Sequence, residues 1–117
     1  MEPKPFPCAY LELKINEDSA DALIDSGSSY SFVDANFRED LEKQGFKFVP
    51  KLYNIRVADK RWIQCEGYML MKFKIKNRIF TYPFILMKDT IQPVILGIDF
   101  LSWAGLCLSF LLIPGSG

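Results

Sequence analysis

Asp25, Ser26 and Gly27 are the residues of this sequence whose types and spacing are best suited to chemistry. They follow directly on an apolar run at residues 22–24. A carboxylate at the end of a buried strand can act as a general acid or base, and a glycine two residues later lets the backbone turn tightly and approach a ligand. Asp and Gly are also ordinary turn residues. The triplet by itself therefore leaves a catalytic loop and a plain turn equally open.

The lack of histidine narrows the chemistry that this sequence can perform. None of its 117 residues is a histidine, which excludes Ser-His-Asp and Cys-His catalysis and most catalytic zinc sites. Acid–base work in a hydrolase of this composition would fall on carboxylates. Asp25 belongs to the only Asp-(Ser or Thr)-Gly triplet in the sequence, so a site built from two such carboxylates requires two chains on a two-fold axis.

The bulk composition predicts one soluble globular domain. Half of the residues are apolar and the formal net charge is zero, which argues against disorder and against a nucleic-acid partner. The longest apolar stretch, residues 106–113, is much too short to span a membrane, and the N-terminal segment lacks the apolar core of a signal peptide. We expect a single domain over residues 1–117, with 113–117 as a boundary or linker remnant, and no membrane partner.

The three cysteines, Cys8, Cys65 and Cys107, are widely spaced. An odd number of distant cysteines fits neither a disulfide framework nor a zinc site. A reducing, cytoplasmic location is therefore expected, with Cys65 and Cys107 as small apolar core residues.

Alternating apolar residues predict many short strands and two short helices. In the long strand that begins at Trp62, Met69 and Phe73 mark the core face, and in the late helix Trp103 is expected to face the core. Asp34 and Gly45 predict the first and last positions of the earlier helix. Strands are predicted at residues 9–15, 20–24, 46–49, 53–57, 62–76, 79–87, 93–97 and 106–113, and helices at 34–45 and 98–105. Short strands joined by tight turns are typical of a closed, barrel-like all-β domain.

Two motifs in this order carry a resemblance to a known family. The sequence "LIDSGSSYSFV" occupies residues 23–33 and "VILGIDFL" occupies residues 94–101, with a candidate flap hairpin at residues 55–68 between them. This arrangement resembles the retroviral-type aspartic proteases (retropepsins), most of all those of Gypsy-type LTR retrotransposons. The sequence differs in having Ser28 where many relatives have alanine, and a flap tip, "ADKRW", without the glycine that relatives often carry.

The resemblance implies an all-β, retropepsin-like closed β-barrel with one or two short helices that forms one half of a two-fold dimer. It implies an aspartic endopeptidase in which Asp25, Ser26 and Gly27 of each chain form the catalytic loop. The apolar segment 106–113 would build a sheet between subunits, and the substrate would be a Gag-Pol-like polyprotein, processed in the cytoplasm or within virus-like particles. No metal or organic cofactor is implied. The residues expected to bind substrate are Leu23, Ser28, Ser29, Ala58, Asp59, Lys60, Trp62, Val94 and Ile95.

Several interpretations stay open. The chain could be a catalytically silent or domesticated dimerisation or peptide-binding module, for which the unusual flap tip is the main argument. Trp62 could contact substrate or only pack, and Asp99 could pin its helix to the active-site loop or serve as a plain acid at a helix N-terminus. Lysines and an arginine on one strand face, at 72, 74, 76 and 78, fit a solvated surface better than a nucleic-acid stripe, given the zero net charge.

Overall fold

The computed structural model of the protein describes residues 9–56, 60–88, 90 and 92–105. The described part is mostly β. Its strands are β1 Ala9–Ile15, β2 Asp18–Ile24, β3 Phe32–Asp34, β4 Lys47–Arg56, β5 Trp62–Ile75, β6 Arg78–Met87 and β7 Val94–Leu96. A 3₁₀ turn at Ala35–Phe37 leads into helix α1, Arg38–Lys43, and helix α2 spans Ile98–Trp103.

Six of these strands close into a barrel. The sheet runs in the order β1-β2-β7-β3-β6-β5, and β1 pairs back onto β5 through Lys14 and Lys74. Closure removes the free sheet edges that an open sheet would leave for other chains. The prediction of an all-β closed barrel with two short α-helices is confirmed.

β4 lies outside this ring and forms a long hairpin with the first half of β5. The two strands stay paired up to Arg56 and Trp62. The register shifts between Pro50 and Tyr53, which is why the sequence pattern predicted two strands where there is one bulged strand. The hairpin places residues 54–56 and Trp62 above the loop that carries Asp25.

The core follows the strand alternation. On β5, Met69, Met71, Phe73 and Ile75 are buried as predicted, because alternate residues of a strand face opposite sides of the sheet. They belong to the main apolar cluster, with side chains of β1, β2, β6, β7 and both α-helices. A second, smaller cluster lies beneath the hairpin and consists of Phe32, Ile55, Cys65, Ile85 and Met87. Cys65 is a buried free thiol in this cluster, as predicted, and burial raises its pKa.

The first helical region begins as predicted. The Asp34 side chain caps the 3₁₀ turn by accepting a hydrogen bond from the Asn36 N–H at 3.0 Å. Gly45 follows the helix with φ of 101°, a left-handed conformation that glycine adopts without strain.

Some predicted details were wrong. Trp103, the last residue of α2, is 59% exposed rather than buried, although its ring contacts Tyr82, Phe80 and Phe100. The short strand β3 was not predicted. The tight turn before β6 is made by Lys76 and Asn77, both with positive φ, so β6 begins at Arg78, one residue earlier than predicted.

Three predicted features lie outside the described residues: the C-terminal strand at 106–113, the flap-tip residues Ala58 and Asp59, and the two cysteines Cys8 and Cys107. Within the described part of the chain, no helix is both long enough and apolar enough to cross a membrane.

Candidate active site

The loop that carries Asp25 begins where β2 ends. β2 and β7 run parallel, with Ile24 beside Leu96, and the Asp25 N–H continues the pairing by donating to the Leu96 carbonyl at 2.9 Å. The Gly27 N–H donates to Oδ1 of Asp25 at 3.0 Å, and the Ser28 N–H donates to the Asp25 carbonyl, also at 3.0 Å. The carboxylate is thus held at the rim of the barrel, half-buried, by the backbone of its own loop.

Helix α2 is fastened against this loop at Gly97 and Ile98. The Ile98 N–H donates to the Ser28 carbonyl at 2.8 Å. Gly97 approaches the loop so closely that a Cβ on it would overlap the Tyr30 carbonyl group and lie 2.8 Å from the Ser28 carbonyl oxygen. A glycine is required here for packing, because nothing larger than hydrogen fits against those two carbonyls.

A buried hydrogen-bond network joins the end of the loop to helix α2. Ser31, fully buried, accepts from the Gly97 N–H at 2.9 Å and donates from its hydroxyl to Oδ1 of Asp99 at 2.8 Å. Oδ2 of Asp99 accepts from the Ser31 N–H at 3.3 Å and from the Tyr82 hydroxyl at 3.0 Å. Burial, together with this bond to Asp99, raises the pKa of Tyr82 well above its ordinary range.

This network decides between the two interpretations of Asp99. Its carboxylate ties α2 to the residue that follows the Asp25 loop in the chain, so it pins the helix to the loop as well as standing in the first turn of α2. A carboxylate suits this place since it only accepts hydrogen bonds, and three donors converge on it. The loop is therefore held from two sides, by β7 and by α2.

An open cleft of about 570 Å³ lies between the Asp25 loop and the β4–β5 hairpin. Its size falls in the range of small-molecule and peptide side-chain pockets. Asp25 stands at one part of its wall. The full lining of the cleft is Asp25, Gly27, Ser28, Ser29, Tyr30, Phe32, Asn54, Ile55, Arg56, Trp62, Met87 and Ile95.

Only some of the residues expected to bind substrate line this cleft. Ser28, Ser29, Trp62 and Ile95 do. Trp62 is 64% exposed, so its place is on the cleft wall and not in the core.

Three other expected residues lie elsewhere. Val94 is buried in the main cluster and faces the opposite side of β7 from Ile95, as strand alternation requires. Leu23 is half-buried and Lys60 is exposed, and neither belongs to the cleft lining. Ala58 and Asp59 lie outside the described residues.

Part of the cleft wall was not named residue by residue from the sequence. These residues are Tyr30, Phe32, Asn54, Ile55, Arg56 and Met87. Ile55 and Arg56 belong to the candidate flap hairpin at residues 55–68, so the sequence had already placed them near the substrate. Tyr30 and Phe32 lie in the first family motif, at residues 23–33, whereas Asn54 and Met87 carried no signal, since their place in the wall depends on how the strands come together.

A closed barrel that holds an Asp-Ser-Gly loop at the rim of a cleft beneath a hairpin is the arrangement expected of an aspartic protease subunit. The family profile described as "Aspartyl protease" matches residues 11–100. The chain belongs to the aspartyl protease family. No curated protein matches the sequence.

Two solved structures have a fold similar to that of this chain. The EIAV protease, in complex with the inhibitor HBY-793, superposes with a TM-score of 0.68 at 18% identity, covering 92% of this chain and 98% of that one. The retroviral protease-like domain of Ddi1 from Leishmania major superposes with a TM-score of 0.65 at 19% identity, covering 84% of this chain and 78% of that one. At these identities the likeness is one of fold, and it confirms the retroviral-protease-like barrel.

Proposed function

We propose that this protein is a retropepsin-type aspartic endopeptidase in which Asp25 activates water for the hydrolysis of peptide bonds. The observation that carries the proposal is the position of the Asp25 carboxylate, held by its own loop at the wall of a cleft that is open to solvent. Family membership supports the same chemistry.

A homodimer completes the site in this proposal. The sequence has one Asp-Ser-Gly triplet, and hydrolysis by the aspartic mechanism needs two carboxylates that share one proton, since like charges in contact resist double ionisation. A second copy on a two-fold axis supplies the other Asp25. Ser26, beside Asp25, is exposed to solvent, and in this proposal its hydroxyl hydrogen-bonds to the partner's loop.

The mechanism then assigns one role to each carboxylate. The ionised Asp25 takes a proton from the water that attacks the scissile carbonyl, and the protonated Asp25 donates a hydrogen bond to the developing oxyanion. Collapse of the tetrahedral intermediate sends a proton to the leaving nitrogen. Gly27 and Ser28 keep the loop backbone close to the bound peptide.

We further propose that the substrate is a polyprotein of the Gag-Pol kind from a retroelement, bound as an extended strand between the hairpin and the loop. Strand addition uses the peptide backbone for affinity and alternate side chains for specificity. Phe32, Ile55, Met87 and Ile95 would receive an apolar side chain, because all four line the cleft and belong to the apolar cluster beneath it.

A second candidate function is a catalytically silent module that binds peptides or dimerises. Lys60, beside the tip of the hairpin, has a φ of 70°, a left-handed conformation that strains a residue with a Cβ. A flap tip without glycine is less free to change conformation, and a flap must open to admit a polypeptide. The likeness to a domain described as retroviral protease-like in Ddi1 is compatible with either function.

The deciding experiment compares the parent protein with Asp25→Asn and with a matched control, Asp21→Asn. The control alters an exposed carboxylate on β2, the strand that precedes Asp25. Cleavage of a library of apolar hexapeptides is measured by mass spectrometry, and dimer formation by analytical ultracentrifugation. We expect Asp25→Asn to reduce turnover to background and to leave the dimer intact, and Asp21→Asn to behave as the parent. A parent dimer that binds peptides without cutting them would establish the silent module instead.

A further inference from the structure

The cleft wall carries few charged side chains. Among the described residues that line the cleft, only Asp25 and Arg56 carry a formal charge. Asp25 is committed to catalysis in the proposed function. Arg56 is therefore the one described charge of the wall that the proposed chemistry does not use.

Arg56 is held in place by the end of the hairpin. It is the last described residue of β4 and pairs directly with Trp62, the first residue of β5. Its guanidinium carbon lies 5.7 Å from the centroid of the Trp62 ring, a distance at which a cation is attracted to an aromatic face. Attraction to the ring reduces the number of rotamers that the long side chain explores, so the guanidinium is partly pre-oriented.

The guanidinium keeps its hydrogen-bonding capacity in this position. The guanidinium carries five N–H donors, and attraction to an aromatic face leaves donors available for other partners. Arg56 forms no ion pair with any carboxylate in the part of the chain that the structure describes. Both Arg56 and Trp62 are exposed to solvent in the open cleft.

We propose that Arg56 selects peptide substrates that carry a carboxylate side chain, glutamate or aspartate, at the position that passes beneath the end of the hairpin. A carboxylate is the partner whose geometry matches the guanidinium fork, with two parallel N–H···O bonds. The apolar part of the cleft wall, formed by Phe32, Met87 and Ile95, takes apolar side chains. The chemical class of the substrate is thus an extended peptide with large apolar residues and one acidic residue. The inference rests on the proposed endopeptidase function and adds its selectivity.

The test uses three series of peptides, in which one variable position carries glutamate, glutamine or lysine. Within each series this position is moved, one residue at a time, from four residues before the scissile bond to four residues after it. The parent is compared with Arg56→Gln and with the charge reversal Arg56→Glu. Lys51→Gln is the matched control, because Lys51 is an exposed cation on the same strand that is absent from the cleft lining. Its Nζ lies 5.3 Å from the centroid of the Tyr53 ring.

We expect the parent to prefer glutamate over glutamine at one or two positions by roughly fivefold in kcat/KM, the scale of a solvent-exposed ion pair, with the difference in KM. Arg56→Gln should bring this ratio to about one, Arg56→Glu should favour the lysine peptide, and Lys51→Gln should keep the parent ratio. Equal cleavage of all three series by the parent, or a ratio that Arg56→Gln leaves unchanged, overturns the proposal. So does a ratio that falls equally in Lys51→Gln, because it would reflect overall charge.

A binding assay separates this result from the fate of the proposed function. Asp25→Asn is titrated with the same peptides by fluorescence anisotropy, with and without Arg56→Gln in the same chain. A glutamate preference that depends on Arg56 in this assay supports the selectivity even when no peptide is cut, in which case the endopeptidase proposal alone fails. If the parent cleaves peptides but the binding assay shows no preference for glutamate, only the proposed selectivity of Arg56 is overturned.

Discussion

The Ser31 hydroxyl donates to Oδ1 of Asp99 at 2.8 Å and accepts from the Gly97 N–H at 2.9 Å. One fully buried side chain therefore connects the chain after the Asp25 loop with both the start and the first turn of helix α2. The two ends of the bond to Asp99 are 68 residues apart in sequence. We expect the Asp25 loop to depend on this contact for its rigidity.

Ser31→Ala should destabilise the fold and loosen the loop. The change leaves the buried Gly97 N–H without its acceptor and removes one donor from Asp99, at a cost of about 1–3 kcal/mol in the free energy of unfolding. Urea denaturation followed by circular dichroism measures it. Ser19→Ala, at an exposed position of β2, is the control and should change little. Equal effects of the two substitutions would mean that the network is not important for stability.

Gly97→Ala should be more damaging than a change at a glycine in open space. The new methyl group would lie 2.7 Å from the Tyr30 carbonyl carbon, so backbone would have to move, at about 1–3 kcal/mol or more. Gly105→Ala is the matched comparison, because its Cβ would meet nothing within 4 Å and only its φ of 71° opposes the change, at about 1–2 kcal/mol. Thermal unfolding of both variants ranks them, and a smaller loss at Gly97 would contradict the close approach of α2 and the loop.

Stability should fall at alkaline pH, in part because of Tyr82. Burial, and then the hydrogen bond to Asp99, raise the pKa of Tyr82 above its ordinary value of 10.0. The folded protein therefore retains this proton at a pH where the unfolded chain has lost it, so the unfolded state binds fewer protons and the free energy of unfolding declines as the pH rises above about 10. The stabilising contribution is complete below that pH.

Tyr82→Phe tests this assignment. The variant should be less stable at neutral pH by about 0.5–1.5 kcal/mol, from the lost hydrogen bond, and its stability should decline less steeply from about pH 10 to about pH 12. The raised pKa of Cys65 acts in the same direction in both proteins and cancels in the comparison. An unchanged slope in Tyr82→Phe would show that Tyr82 does not contribute.

Proteolytic activity should show a bell-shaped dependence on pH on the acidic side of neutrality. In the proposed dimer the two Asp25 carboxylates hold one proton between them when active, so the rate should rise as the first proton leaves and fall as the second leaves. The sequence has no histidine to add a limb near neutrality. The profile is measured from initial rates of cleavage of one apolar peptide between about pH 3 and about pH 8, at a protein concentration at which the dimer is fully formed. A rate that climbs throughout this range, or that a metal chelator abolishes, would contradict the carboxylate pair.

The sequence by itself was sufficient to predict those features that depend on local pattern. The buried faces of β1 and β5 follow from alternation, the cap at Asp34 and the stop at Gly45 follow from residue type, and the two short motifs at residues 23–33 and 94–101 together pointed to the family. Each of these requires only neighbours in the chain, because side-chain direction in a strand and capping geometry are set within a few residues.

Contacts between distant residues were decided only by the tertiary structure. Asp99 could be read two ways until its carboxylate was seen to accept from Ser31 and Tyr82. Strand alternation puts Val94 and Ile95 on opposite sides of β7, but which of the two faces the cleft was decided only when β7 paired with β2 and closed the barrel. Arg56 enters the cleft wall because the β4–β5 hairpin folds over the loop of β2. Such contacts depend on how the barrel closes, and closure is a property of all its strands together.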